Sequence, residues 1–349
     1  MAASLREAGF KVIAKTTGSK PVLILPDNKE LEISRRGAPS ILEGKKILKI
    51  GAKHRVDALV AELMSIQPES GFAESVLMMK PNILVITNVR LDHLAQMGPT
   101  KAEVAKSLSV SIPPQCNVFI PQEEYYPVFE EAGKEMNSKI LPVASDSHRE
   151  KLLLAKKILP SEFEGNLGLT LAVCEFLGIK KKDVLQGIKK AHPDFGSLKV
   201  WKAEIGIPPR SFHLVSAFAA NDPQSTQKVL SKVEEVIPFE RKRIIGLLNL
   251  RKDRGDRTLQ WAEALMKRYF RLFHKLVLIG GHAHALKRKL RSMKKTEISV
   301  IKEKSPPEIM TKISEEERAE IILIGMGNMG GAGQELVQYW NEIGRPYDF

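Results

Sequence analysis

Short, continuously apolar runs alternate with longer segments of helical character along almost the whole chain, and this alternation limits the fold more than any single residue. KVIAK (Lys11–Lys15), VLIL (Val22–Leu25), ALVAELM (Ala58–Met64) and NILVITNV (Asn82–Val89) have strand length. Leu42–Lys53, Thr100–Leu108, Asn166–Leu177 and Lys182–Ala191 read as helices, and Asn117–Ile120 and Ile140–Val143 add further strands. Continuous apolar strands separated by helices indicate a parallel sheet covered on both faces, so an α/β fold is expected. Thr100 followed by Glu103 has capping-box spacing, and Gly178 stops the apolar helix that precedes it.

Proline and glycine punctuate Ala191–Ser197 (AHPDFGS), and a second alternation follows. Its strands are expected at Ser211–Phe218, Arg243–Leu248, Lys275–Ile279 and Ile321–Ile324. Its helices are expected at Thr226–Val236, Arg257–Phe270, His284–Ser292, Pro306–Ser314 and Gly333–Tyr339. A chain of 349 residues exceeds what one core usually supports, so two α/β domains are expected, residues 1–196 and 197–349.

Composition narrows the function classes. No run approaches the ~18 consecutive apolar residues of a membrane span, and the N-terminus MAASLREAGFKV lacks the apolar core of a signal peptide. Cys116 and Cys174 lie far apart without CxxC spacing, which points to neither metal nor redox chemistry and suits a reducing cytoplasm. The net charge is +13, with Lys287, Arg288, Lys289, Arg291, Lys294 and Lys295 crowded together. No nucleic-acid-binding motif or interleaved aromatic accompanies them, so no nucleic-acid partner is expected. A solvated helix face, a polyanionic substrate and anionic lipid remain as readings of that cluster.

Ligands of doubly wound sheets sit at the carboxyl ends of the strands. Thr16, Thr17 and Gly18 follow the first strand, Glu62 the third, and Asn88, Asp92 and His93 the fourth. A carboxylate, an imidazole and hydroxyls converging on one sheet edge would suit phosphate and a hard cation. Taken singly, Glu62 reads as an ordinary strand-end acid and His93 as a helix cap.

Several segments carry a resemblance. GFKVIAKTTG, ELMSIQPE, TNVRLDHLAQMGPT, NLGLTLAVCEFLGI, FAANDPQST, NLRKDRGDRT and GMGNMGGAG occur in this order. Together they resemble the poly-γ-glutamate synthases of the PgsB/CapB family, within the Mur-ligase superfamily. The resemblance implies a Mur-type central nucleotide-binding domain, incomplete at its N-terminus, followed by a Rossmann-like C-terminal domain. It implies an ATP-dependent amide ligase that activates a glutamyl carboxylate as an acyl phosphate for attack by the amine of glutamate. By the same carry-over, Glu62 and His93 would hold Mg2+, directly or through water. Thr16, Thr17 and Gly18 would flank that pocket, Asn166 would meet the adenine side, and Asn221 and Asp222 the nucleotide, Asp222 at the ribose. Asp253, Arg254 and Arg257 on the charged loop, with Lys199 near the domain junction, would be the catalytic set. The bland alternative for the loop is a surface salt-bridge network. Glutamate, the poly-γ-glutamate chain and membrane subunits of the CapC and CapA type would be the partners, at the inner face of the membrane.

The sequence departs from the family in places. Nothing matches GxxxxGK[ST], the loop whose amides cradle phosphates. The expectation is a misassigned start, a truncation or a degenerate paralogue, and in each case weak ATP binding by this polypeptide. An in-frame upstream segment encoding that loop would favour the enzyme over a non-catalytic scaffold subunit. Leu108 stands where many Mur-type ligases have a carbamylated lysine, with Lys106 nearby, and Lys199 stands where arginine is frequent. Gly325, Gly327 and Gly330 form a literal GxGxxG after a strand, which keeps an NAD-binding oxidoreductase as a lesser alternative. The pair His282 and His284, without neighbouring acids or cysteines, reads as loop decoration.

Overall fold

Each of these apolar runs becomes a strand in the computed structural model, which describes residues 1–17, 21–35, 39–144, 148–159, 163–191, 197–267, 270–293, 296–315 and 320–347. The chain divides into two units, Met1–Pro193 and Asp194–Phe349.

The first unit starts with α1 (Ala2–Glu7), β1 (Val12–Lys15), β2 (Val22–Ile24), β3 (Glu30–Glu32), α2 (Leu42–His54) and β4 (Ala58–Ala61). Then come α3 (Pro68–Phe72, prolonged by π-helical turns over Ala73–Met79), β5 (Ile83–Val85), α4 (Leu94–Met97) and α5 (Lys101–Ser109). It closes with β6 (Asn117–Pro121), α6 (Pro127–Glu135), β7 (Lys139–Val143), α7 (Arg149–Ile158), α8 (Glu164–Phe176) and α9 (Lys181–Lys190).

One parallel sheet was the expectation for this unit, and two sheets form instead: a mixed one ordered β3-β2-β1-β4 and a parallel one ordered β5-β6-β7. The chain between Lys15 and Val22 is too short for a crossover, so β2 returns antiparallel to β1. Only β1 and β4 run parallel in the mixed sheet, with Lys15 opposite Ala61. The runs at 58–64 and 82–89 pair over only their first halves, and the remainder of each becomes a loop at a carboxyl end. The capping box forms as read: Thr100 Oγ1 accepts from Glu103 N–H at 3.3 Å, and Glu103 accepts from Thr100 N–H at 3.0 Å. Helix α1 lies against α9, where a Cβ on Gly187 would stand 2.3 Å from Ser4 Cα.

The second unit begins with a strand that the alternation did not reveal, β8 (Lys199–Ile205), which carries Lys199 at its start. There follow β9 (Arg210–Ser216), α10 (Pro223–Val236), β10 (Arg243–Leu250), α11 (Gly255–Met266), β11 (Lys275–Gly280) and α12 (Ala283–Lys289). A second missed strand, β12 (Glu297–Val300), leads to α13 (Pro306–Glu315), β13 (Ile321–Gly327), α14 (Ala332–Ile343) and β14 (Arg345–Pro346). The sheet order is β12-β11-β10-β13-β9-β8-β14. The five strands from β12 to β9 are parallel, and β8 and β14 are added antiparallel.

Its core is built on fully buried Trp201, Phe212, Phe218 and Trp340 together with the aliphatic faces of β10 and β13. Trp340 stacks on Phe218 at 5.7 Å, meets Trp201 edge-on at 6.2 Å, and donates its indole N–H to Met310 Sδ at 3.4 Å. Gly325 makes room for this cluster, since a Cβ there would lie 2.3 Å from the Phe218 ring. Cys116 and Cys174 are buried and free, and burial pushes the Cys116 thiol up to about 11.

Candidate active site

Two strand-end sites emerge, one in each unit. In the first unit, β1 and β4 end side by side. Thr17 N–H donates to Glu62 Oε2 at 2.6 Å, so the strand-end acid and the threonine turn meet. Glu62 is exposed, and its Oε1 has no protein partner among the described residues. Thr16 closes the turn, with its Oγ1 accepting from Val22 N–H at 3.1 Å. Gly18 lies outside the described residues.

Sequence reasoning passed over the groups that hold this edge in place. Lys15, at the end of β1, is buried and donates to the Glu62 carbonyl at 3.4 Å, with its Nζ 4.0 Å from Glu43 Oε2. Burial lowers the pKa of Lys15, and the carboxylates of Glu43, Glu74 and Glu62 oppose that shift. Glu74 is buried and accepts from the N–H groups of Met64 and Ser65, both at 3.0 Å, and from Ser65 Oγ at 2.5 Å. It thereby clamps the loop after Glu62. Glu124 does the same for the loop after β5, accepting from Val89 N–H at 3.2 Å. Each clamp is a buried carboxylate whose charge is met by backbone donors.

His93 follows a strand of the unit's other sheet. It belongs to the β5-β6-β7 sheet, because β5 pairs with β6 and not with β4. It stands at the N-cap of α4 with φ 51°, and its Nε2 lies 3.6 Å from Asp92 Oδ2. Among the described residues no group of three or more His, Cys, Asp or Glu is arranged to hold a metal. Lys106 is exposed on α5, and Leu108 packs into the apolar cluster beneath it. Asn166 sits exposed in the first turn of α8.

Glu43 supports a pH prediction. Its carboxyl is held below the ordinary 4.5, first by the hydrogen bond from Arg35, then against the opposing effect of burial by the charges of Arg35 and Lys15. A depressed carboxyl contributes stability that is present above its unfolded value and lost as pH falls through its folded value. The urea midpoint of the first unit should therefore decline as pH drops from about 5 toward 3. Glu43→Gln should flatten that decline, and an unchanged acid limb would show that the pair does not contribute.

In the second unit the site follows from topology. The chain leaves β10 through α11 toward β11, and leaves β13 through α14 toward the opposite edge. Right-handed crossovers put α10, α11 and α12 on one face of the sheet and α13 on the other. The packing agrees, with α11 against α10 and α12, and α14 against α13. Neighbouring strands whose connections part in this way open a crevice at their carboxyl ends.

That crevice is lined by a buried amide lock. Asn249 Nδ2 donates to the carbonyls of Asn328 at 2.7 Å and Gly330 at 3.1 Å. Asn328 Nδ2 returns a bond to the Asn249 carbonyl at 3.0 Å, and its Oδ1 accepts from Arg257 at 3.1 Å. Neither asparagine was singled out by motif, although each ends an apolar strand with a polar side chain. Above them runs the charged loop. Arg251 grips Asp253 with two bonds of 2.9 and 2.6 Å, and Arg254 holds Asp256 at 3.3 and 3.4 Å. The Arg251 bond holds Asp253 below the usual carboxylate range, and the same bond raises Arg251. Arg257 is buried in the first turn of α11. The bland reading thus accounts for Asp253 and Arg254 as they stand, since both are paired.

Asp222 caps α10: it accepts from Ser225 N–H at 2.9 Å and from Ser225 Oγ, which engages both carboxylate oxygens. The adjacent Asn221 spends only its carbonyl, on the Trp261 indole at 3.1 Å. Lys199 is half-buried opposite Ser216. Gly325, Gly327, Gly330 and Gly333 of GMGNMGGAG stand at close approaches, whereas Gly331 faces open space with φ 70°. Gly325 and Gly327 lie within β13 and not in a phosphate-cradling turn, and a Cβ on Gly330 would lie 2.4 Å from the Arg251 guanidinium. His282 bonds Thr258 Oγ1 through Nδ1 at 3.1 Å, a contact at the start of α12.

Comparisons with known proteins agree with this architecture. A family model described as the poly-gamma-glutamate synthase CapB C-terminal domain matches residues 204–343. PGA synthase CapB of Bacillus subtilis (strain 168) is 30% identical over 343 residues, which cover 97% of this chain and 85% of that protein. Capsule biosynthesis protein CapB of Bacillus anthracis is 33% identical over 264 residues, 75% of this chain and 56% of that protein. Among solved structures, E. coli FolC in complex with ADP superposes with a TM-score of 0.70 at 12% identity, over 98% of this chain and 86% of that one. MurF from Acinetobacter baumannii superposes with a TM-score of 0.53 at 16% identity, over 80% of this chain and 64% of that one. The fold is that of the Mur-ligase and FolC class of α/β enzymes. The chain belongs to the poly-gamma-glutamate synthase CapB family, a family of ATP-dependent ligases.

Proposed function

We propose that this chain is the amide ligase of poly-γ-glutamate synthesis. The γ-phosphoryl group of ATP passes to the terminal carboxylate of the acceptor chain, releasing ADP. The amine of glutamate then attacks the acyl phosphate carbon, the amide bond forms, and inorganic phosphate leaves. The observation that carries this reading is the alignment with PGA synthase CapB across 97% of the chain.

The geometry adds support at both strand ends. Phosphoryl transfer asks mainly for positioning and charge neutralisation. Mg2+ takes one or two carboxylates and leaves its other positions to phosphate and water. Glu62, whose Oε1 has no partner among the described residues and which holds Thr17 beside it, suits that demand. In this scheme Glu62 holds the cation directly and His93 through water, and Thr16, Thr17 and Gly18 border the phosphates. The cation, when bound, neutralises phosphate charge. Asn166 contacts the adenine. Asn221 and Asp222 meet the nucleotide, Asp222 at the ribose. Arg254, oriented by Asp256, and Arg257, held by Asn328, stabilise the transferring phosphoryl group, Asp253 fixes Arg251 beside them, and Lys199 attracts the acceptor carboxylate.

Glutamate and the γ-linked chain are the substrates. Subunits resembling CapC and CapA hold the protein at the inner membrane face. Among the described residues no helix is long and apolar enough to cross a membrane.

The test is isotope transfer in the full-length protein. Acceptor chain labelled with 18O in its carboxylates, supplied with ATP, Mg2+ and glutamate, should give labelled inorganic phosphate in step with chain lengthening. Lengthening with unlabelled phosphate would overturn the acyl-phosphate route. Absence of any lengthening would favour a non-catalytic scaffold subunit.

A further inference from the structure

The basic cluster plays no part in this scheme, and the fold gives it a form. Helix α12 packs across β11 and β12. His284, Lys287, Arg288 and, in the turn that follows, Arg291 stand at i, i+3, i+4 and i+7, which is one helical face. All four are exposed, and they line an open groove of about 710 Å³ whose other wall includes Thr296 and Ile298 at the β12 edge. Among the described residues no acid lines the groove. The acid next to it along the strand, Glu297, is taken by Lys275 at 3.1 Å and Arg243 at 3.2 Å. Among the described residues none of the four basic side chains has a carboxylate partner. Like charges gathered without counter-charge repel one another and focus a positive field that an external anion would relieve. Lys294 and Lys295 lie outside the described residues.

The direction of the helix matters. α12 begins at the carboxyl end of β11, where His282 bonds Thr258 and where a Cβ on Gly281 would lie 2.1 Å from the Lys252 side chain. It then runs back toward the amino edge of the sheet. The basic positions therefore lead from the neighbourhood of the 251–257 loop outward. We propose that this groove binds a polycarboxylate, the γ-linked glutamate chain, and guides it away from the ligase loop. The inference rests on the proposed function for the identity of that chain.

Two other anions fit the groove less well. Among the described residues no aromatic side chain lines it, so they offer none of the base stacking that holds single-stranded nucleic acid. Membrane insertion needs an exposed apolar face opposite the basic one, and α12 has Ala283 and Leu286 buried in the protein, with the small Ala285 as its exposed apolar position.

The test is binding without turnover. A fluorescent γ-linked glutamate decamer, titrated into the full-length protein without ATP, should bind with an affinity that falls steeply with salt. The triple variant K287E/R288E/R291E should bind roughly 30-fold more weakly, as expected for three reversed surface charges. Its melting temperature and its rate of adding glutamate to a short acceptor should be unchanged, and its products should be shorter. Equal decamer binding by the variant would overturn the inference. So would tighter binding of an RNA decamer or of phosphatidylserine vesicles, which would reassign the groove to nucleic acid or to lipid. The two proposals fail separately. Decamer binding through these residues without ligation would remove the ligase reading and keep the polyanion site. Ligation with binding indifferent to these residues would do the reverse.

Discussion

Trp340→Ala is expected to cost the second unit about 3–5 kcal/mol, the range for removing a large aromatic from a packed core. The indole is fully buried, stacked on Phe218, edge-on to Trp201 and bonded to Met310, and the surrounding strands are too well paired to collapse into the space. For a unit of this size the loss should lower the melting temperature by roughly 10 °C. Trp340→Phe should recover most of it, because a ring still fills the site and only the indole N–H contact is lost. Differential scanning calorimetry decides the matter, and a shift below about 2 °C would mean that the cluster repacks without a cavity.

Glu62→Gln should act on turnover and hardly at all on stability. The amide oxygen can still accept from Thr17 N–H, so the strand-end geometry persists, and the side chain is exposed. What disappears is the negative charge proposed to hold the divalent cation. Glutamate-dependent phosphate release should fall on the order of 100-fold, with partial recovery at raised Mg2+. Glu62→Asp should fall between the two, its shorter arm keeping the charge. Wild-type turnover in Glu62→Gln would sink the metal role of this residue, and a large fall in melting temperature would recast it as a structural acid.

Glu62 and His93 follow strands of different sheets, a placement that reading along the chain does not reveal. Each follows an apolar run, and both were expected at one sheet edge. Whether two strand ends are neighbours within one sheet depends on which strands share a ladder, and β5 paired with β6. Glu62 did meet Thr17, because β1 and β4 are hydrogen-bonded partners in register. The same limit applies to the residues that support the sites. Lys15, Glu74, Glu124, Asn249 and Asn328 work through partners distant in sequence or through burial, and neither leaves a local pattern.

β8 is a different case. Trp201, Ala203 and Ile205 are buried while Lys202 and Glu204 are exposed, a period of two that marks an antiparallel strand with one covered face. The signal was local and was missed beside the stronger continuous runs. The Thr100–Glu103 capping box and the stop at Gly178, which has φ 70°, were legible because both are completed within a few residues.

The sequence by itself determined the α/β class, most helix limits, the order of the family's segments and hence the chemistry proposed. These depend on local periodicity, capping and residue type, all of which are readable in one dimension. Tertiary structure alone decided that the first unit holds two sheets, that Asp222 is occupied as a cap, and that Arg257 is buried on Asn328 at the crevice between β10 and β13. It also set the basic face of α12 along a groove that no acid lines among the described residues. Those outcomes depend on strand order and burial, which arise from contacts between residues far apart in the chain.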